Sequence, residues 1–267
     1  MNLSDAHCHL QDVRFGGDLD EVLKKCRHAG IRRWMVNATR EADWARVAAL
    51  GVSEPGVRCS FGLHPWWQEE RCPHWQESLR DILIRHPEAA IGEVGLDRWI
   101  PGHDLEDQRA VLAFHLQLSR ELDRPVSLHC LRAWPELAAC LKQHRPSRRG
   151  FLLHSCAAPS AMLPAFAEAG AYFSFSPAFL HPRKAKVREA FRQVPLDRLL
   201  IESDAPDMAP PAGLELEAVP GKEGLALNHP VNLMLSLRAL AEDRGVEAAV
   251  LAERLEENAE RLFGWKS

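Results

Sequence analysis

The sequence has no run approaching the roughly 18 consecutive apolar residues that suggest a membrane-spanning helix. Its first ten residues, MNLSDAHCHL, contain neither the basic segment nor the apolar stretch of a secretory signal. It has no surplus of positive charge either. Lys and Arg number 33 against 37 Asp and Glu, a formal net charge of −4, and the pI is near 6.4. No global basic field can therefore hold a polyanion without sequence preference, and any contact with nucleic acid must be local. No C-x-x-C pair occurs among Cys8, Cys26, Cys59, Cys72, Cys130, Cys140 and Cys156. An odd, scattered set argues against a disulfide framework and against a structural zinc knuckle, which leaves reduced, mostly buried thiols. These absences predict a cytoplasmic protein with no membrane association, and nothing in them implies an obligate protein partner.

What is present is ordinary globular usage, 46% hydrophobic and 26% charged. Eight short apolar runs recur along the chain: Leu3–His9, Arg32–Ala38, Val57–Leu63, Ala89–Leu96, Pro125–His129, Phe151–Ser155, Ala171–Ser176 and Arg198–Ser203. Helical patterns fill the gaps. Asp18 and Glu21 have the spacing of a capping box, Asp104 can cap the run from 105 to 122, and Gly30 and Gly170 stand where helices should end. Strands alternating with helices imply parallel pairing, and eight of them followed by helices near 229–244 and 247–262 predict an α/β fold, a (β/α)8 TIM barrel spanning 1–267 as a single domain. An open doubly wound sheet is the rival. No linker, low-complexity tract or obvious repeat divides the chain. Met208–Leu227, rich in Pro and Gly, reads as a long loop after the eighth strand.

Polar residues gather at the C-terminal ends of these runs. Asp5, His7 and His9 end the first, His64 the third, Glu93 the fourth, His129 the fifth, His154 the sixth, and Glu202 and Asp204 the eighth. In a barrel that rim carries the active site. His7 and His9, two apart on a strand, project from the same side and can serve one ion. With Glu93, His129, His154 and Asp204 they make an all nitrogen and oxygen donor set, suited to zinc, manganese or another divalent ion. It offers more ligands than one tetrahedral site uses, so two ions sharing a carboxylate is the economical reading, with Glu93 as the bridge. The remaining histidines have simpler explanations. His28, His86 and His144 fall near helix C-termini, where the dipole favours an imidazolium; His115 and His74 read as structural; His103, His181 and His229 follow strands and are weak candidates for substrate contact. Cys8 and Cys130 alternate away from the ligands, toward the helices. Trp66 and Trp67 follow His64 and can wall the pocket or stack a base or sugar. Arg183, Lys184, Lys186 and Arg188 begin a helix after the seventh strand, where barrels often bind phosphate, and Lys222 in the final loop can add a further cation.

With these residues in place, the chain resembles the TatD family of metal-dependent hydrolases, within the amidohydrolase-like barrels. The motifs are DAHCHL (5–10), FGLHP (61–65), AIGEVGLD (90–97), RPVSLHC (124–130), LLHSC (152–156), LLIESDAP (199–206) and NAERLFG (258–264), spread over essentially the whole chain. The resemblance implies a TIM barrel, two divalent metal ions (Zn, Mn or Mg) and hydrolysis of phosphodiester bonds, usually in DNA. It implies that His7, His9, Glu93 and Asp204 hold one ion, and Glu93, His129 and His154 the other. His64 matches a family histidine near the scissile phosphate. Asp204 is expected to orient the attacking water, Glu93 to bridge, and Arg183, Lys184, Lys222 and Trp66 to contact the substrate. Two departures bear on that substrate: Leu131 stands where an Arg is usual, with Arg132 displaced by one, and Ser155-Cys156-Ala157-Ala158 replaces an aromatic, then Ser or Thr, then Gly. The expected activity is a deoxyribonuclease. The alternatives are a hydrolase of a small amide, lactone or phosphoester on the same barrel, and a non-catalytic metal or nucleic-acid binding module.

Overall fold

The computed structural model describes residues 2–221 and 225–265, so Lys222 lies outside the described residues. Eight strands, β1 (Leu3–Cys8), β2 (Ile31–Asn37), β3 (Val57–Phe61), β4 (Ala90–Asp97), β5 (Val126–Leu131), β6 (Phe151–Leu153), β7 (Ala171–Phe175) and β8 (Leu199–Ile201), form one sheet in sequence order. Each of the seven neighbouring pairs is parallel. The seam between β8 and β1 is drawn together by Asp204 N–H donating to the His7 carbonyl at 3.0 Å and His9 N–H to that of Ala205 at 2.8 Å. The Asp5 carboxylate spans the same seam, accepting the backbone N–H and the hydroxyl of Ser203. The result is the expected barrel in place of an open sheet. Every residue of β1, β4, β7 and β8 is buried, as strands covered on both faces must be, which explains their near-continuous apolar runs.

The helices α1 (Leu19–His28), α2 (Glu41–Ser53), α3 (Trp75–Arg85), α4 (Leu105–Leu122), α5 (Trp134–Gln143), α6 (Leu163–Glu168), α7 (Ala185–Phe191), α8 (Leu233–Arg244) and α9 (Ala248–Phe263) intervene or follow. Asp104 caps α4, accepting from the N–H groups of Glu106 and Asp107. Gly30 and Gly170, at φ +95° and +99°, turn the chain just beyond α1 and α6. Asp18 precedes α1, but its side chain makes no capping bond: at ψ 5° it has the backbone of a turn, whereas capping residues are typically extended. The long loop after β8 also differs from expectation. It carries a short antiparallel hairpin, β9 (Ala218–Pro220) with β10 (Ala226–Asn228). Three-residue strands in a Pro- and Gly-rich stretch leave too little alternation to be read from sequence. Inside the barrel, Ala6, Met35, Ala90, Leu152, Tyr172 and Leu200 join one apolar cluster with Ala259, Leu262, Phe263 and Trp265, so the C-terminal helix backs the barrel. All seven cysteines are free, and only Cys72 is exposed. No helix among the described residues is long and apolar enough to cross a membrane.

Two features aim the strands that matter for the site. The sheet register is irregular between Asp5 and Cys8 in β1 and between Ile91 and Val94 in β4, the stretches that hold His7 and Glu93. Irregularities of this kind re-aim side chains beside functional sites. Gly95 faces His129 across the β4–β5 pair, and a Cβ there would lie 1.8 Å from the His129 carbonyl oxygen. No side chain fits between backbones so close. Gly95→Ala is expected to destabilise the protein by about 1–3 kcal/mol or more through overpacking, measured by denaturant unfolding. Gly17 has no left-handed φ, and a methyl added there would meet nothing within 4 Å, so it should accept Ala within about 0.5 kcal/mol. Equal midpoints for the two variants would refute the close-approach argument.

Candidate metal centre

Glu93 lies at the centre of the rim, 2% exposed. Its two carboxylate oxygens face different partners. Oε2 is 3.2 Å from His7 Nε2 and 3.4 Å from His9 Nε2. Oε1 is 3.2 Å from His129 Nδ1 and 2.8 Å from His154 Nε2. Asp204 joins the first group, with Oδ1 3.3 Å from His9 Nε2 and 3.7 Å from His7 Nε2. Asp204 has φ +53°, in the left-handed region that a non-glycine residue enters only when its surroundings hold it there. The six residues that the sequence pattern singled out thus meet in one place, around one carboxylate.

The outer nitrogens of His7, His9 and His129 are hydrogen-bonded, and that of His154 faces a carboxylate. His7 Nδ1 is 2.8 Å from Ser127 Oγ, and His9 Nδ1 is 2.8 Å from the Asn37 carbonyl. His129 Nε2 is 3.0 Å from Asp97 Oδ2, while His154 Nδ1 lies 3.6 Å from Glu202 Oε1. A carbonyl or carboxylate partner puts the proton on the outer nitrogen and turns the inner lone pair toward Glu93. Lone pairs and carboxylate oxygens so close together repel unless positive charge stands between them. The titration behaviour of these groups shows the same demand. Burial disfavours charged His9, yet the Asp204 hydrogen bond and Glu93 lift its pKa to about 9. Burial is likewise overcome at His129 and His154, which are raised by Asp97 and Glu93 and by Glu93 and Glu202 respectively. Glu93 stays well below the carboxylate range despite burial, held there by His154, His64 and His7. The donor set therefore fits divalent cations, which would take the place of those protons. Among the described residues, compact clusters able to hold an ion include His7 with His9 and Asp204, and Glu93 with His64 and His129.

His64 differs from the other four. It follows β3 and precedes the short turn Pro65–Glu70, and its Nδ1 accepts the backbone N–H of Trp66 at 3.1 Å. The proton of the neutral ring is therefore on Nε2, 3.4 Å from Glu93 Oε1. It faces the centre as a donor. Burial pushes its pKa down to about 3, the pull of Glu93 notwithstanding. Asp97 and Glu202 complete the arrangement, although the sequence analysis gave them no role. Asp97, fully buried, accepts from His129 and from the Trp66 indole N–H at 2.7 Å; Glu202 accepts the backbone N–H and hydroxyl of Ser155 and the hydroxyl of Ser174. A signal existed for both. Asp97 is four residues after Glu93 and Glu202 two before Asp204, even spacings that strand alternation places on the same face.

The centre opens into a cavity of about 510 Å³ lined by His9, His64, Glu93, His129, His154 and Asp204 at its base and by Trp66, Trp67, Arg40, Arg46, Arg14 and Asp207 above. Trp66 is where the sequence reading expected it, at the mouth and 57% exposed. Arg183 and Lys184 are not among the lining residues. The chain after β7 makes two short turns, Pro177–Leu180 and Pro182–Lys184, before α7 begins, and the Lys184 ammonium lies 6.0 Å from the Phe179 ring. Arg188 in α7 is tied to Asp243. His103, His181 and His229 do not line the cavity either. His64 is expected to remain neutral, with its proton on Nε2, down to at least about pH 4 in metal-free protein, its folded pKa lying well below the usual 6.5. Imidazole nitrogen shifts followed by NMR would read this directly, and titration near pH 6.5 would overturn the assignment.

Known proteins resemble this chain over nearly its whole length. Residues 4–264 match the family model described as TatD related DNase. The chain is 31% identical over 261 residues, 97% of its own length and 96% of the relative's, to a protein of Escherichia coli called uncharacterized metal-dependent hydrolase YjjV. It is 30% identical over 263 residues, 97% and 98% of the two chains, to the 3'-5' ssDNA/RNA exonuclease TatD of Pantoea vagans. The crystal structure of Escherichia coli YjjV, a TatD homolog, superposes with a TM-score of 0.90 at 30% identity, covering 99% of this chain and 98% of that one. A TatD family hydrolase of Entamoeba histolytica, at 16% identity and a TM-score of 0.84, shares the fold. With its barrel, its rim of imidazoles and carboxylates and these likenesses taken together, the chain belongs to the TatD-related DNase family and is a metal-dependent hydrolase.

Proposed function

We propose that the chain is a phosphodiesterase acting on DNA that uses two divalent ions bridged by Glu93. The observation that carries this reading is the division of the Glu93 oxygens, Oε2 toward His7 and His9 and Oε1 toward His129 and His154. Asp204 completes the first set. Four imidazoles weigh the choice of ion toward zinc over magnesium. Bound there, the ions would supply a lowered water pKa and a Lewis acid for the phosphoryl oxygens. Asp204, held in the left-handed conformation at the mouth, orients the attacking water and accepts its proton. His64 donates its Nε2 proton in a hydrogen bond to a nonbridging oxygen as negative charge builds there, and stays neutral while doing so. Asp97, Ser127, Asn37 and Glu202 keep the four imidazoles turned inward. The name of the Pantoea relative supports nucleic acid as the substrate.

One observation favours a second reading, a small ester or amide. Leu131 lines the cavity where an Arg is usual, and Arg132 does not, its guanidinium lying 3.9 Å over the Trp99 ring. On the DNA reading, phosphate contacts must then come from another wall. Glu93→Ala is expected to lose bound metal and to lower turnover of end-labelled oligonucleotides by more than about 100-fold. Elemental analysis beside the assay, with chelator controls and a panel of small esters, amides and lactones, checks this. Retention of metal and turnover would remove Glu93 as the bridge, and metal uptake by the wild type without turnover above the variant would make the chain a binding module.

A further inference from the structure

The cavity above the metal centre has two walls of opposite character. On one, Asp12 and Asp207 flank Arg14, which is 2.8 Å from the first and 2.6 Å from the second, so its charge is already spent between two carboxylates. The other wall is formed by Trp66, Trp67, Arg40 and Arg46. The carboxylate on this side, Asp43, is buried and accepts the backbone N–H and hydroxyl of Thr39. Arg40 lies 4.1 Å over the Trp67 ring and is paired with the buried Asp43 at 3.7 Å and the exposed Glu70 at 3.2 Å. Arg46, on the exposed face of α2, has no hydrogen bond or ion pair among the described residues. Trp66 lines the cavity with its indole N–H fixed by Asp97 and its side chain exposed.

We infer that Trp66 and Arg46 form a subsite for the nucleotide next to the scissile bond, with the base stacked on the indole and the neighbouring phosphate held by the Arg46 guanidinium. The inference rests on the nucleic-acid reading above and goes beyond it by giving the substrate a path, out over the start of α2 and away from Asp12 and Asp207. An indole held at its polar end and exposed at the mouth is a sequence-tolerant platform, since every base has a π-face. The unpaired cation suits a phosphate because it has no internal partner to give up. In a chain of net charge −4, such a local cation supplies the attraction that the molecule as a whole lacks. The expected cations beyond β7 do not line the cavity, and this wall stands in their place.

The test compares a labelled single-stranded 12-mer with bis(p-nitrophenyl) phosphate, a diester with no neighbouring phosphate, using wild type, Arg46→Glu, Arg46→Lys and Lys186→Glu in the metal-loaded protein. Lys186 is exposed on α7 and does not line the cavity, so it is a matched charge reversal. Arg46→Glu should lower kcat/KM on the 12-mer about tenfold more than on the small diester, mainly through KM, and Arg46→Lys should recover most of the loss. Binding of the same 12-mer to metal-free protein, followed by fluorescence anisotropy, should show a slope of log K against log salt that is smaller by about 0.7 in Arg46→Glu. Trp66→Ala should weaken that binding about 5- to 100-fold. Equal losses on both substrates, an unchanged salt slope, or an equal effect of Lys186→Glu would overturn the subsite. Hydrolysis of the small diester by wild type with neither binding nor cleavage of the 12-mer would instead defeat the nucleic-acid reading, and the subsite with it.

Discussion

A carboxylate buried among imidazoles at the mouth of a barrel is the constraint on which the rest depends. Glu93 is removed from water and set within 3.4 Å of five histidine nitrogens. Such an arrangement is stable only if positive charge occupies the gap, and the raised pKa of His9 and the lowered one of Glu93 both express that demand. A divalent ion satisfies it more completely than protons, because it serves several lone pairs at once. The site is thus built to be charged, and its chemistry follows from what charges it.

Holding the imidazoles in place is the work of residues one step further out. Ser127, Asn37, Asp97 and Glu202 each occupy the outer side of one ring. Asp97 does this for two elements at once, since the same oxygen that orients His129 also anchors Trp66. The position of the indole at the mouth and the angle of a ring at the base are therefore linked through one buried carboxylate. His64 stands apart because a backbone N–H occupies its Nδ1. The same residue type yields inward lone pairs at His9 and His129 and an inward donor at His64, according to what lies behind each ring.

The close approach of β4 and β5 at Gly95 and the irregular register in β1 and β4 bring these groups to their spacings. Barrel closure contributes as well. Asp204 reaches His9 because its own backbone N–H is bonded to the His7 carbonyl across the seam. Above the base, the division of charge between the two walls of the cavity gives the site a direction that the ring of ligands does not have by itself.

Much of this was legible in the order of residues. Eight apolar runs with helices between them point to a parallel sheet, because strands buried on both faces need continuous apolar sequence and parallel pairing needs crossovers, and eight is the number a closed barrel takes. His7, His9, Glu93, His129, His154 and Asp204 were visible because strand alternation and the C-terminal rim are one-dimensional rules. Asp97 and Glu202 obeyed the same rule, but nothing in composition separates a residue that orients a ligand from one that is a ligand. The tautomer of His64, the failure of Asp18 to cap α1 and the retreat of Arg183 and Lys184 from the cavity were decided only in three dimensions, as was the placing of Arg40 and Arg46 at its wall. Loops follow no period, and the direction a loop side chain takes is set by what the rest of the barrel packs against it.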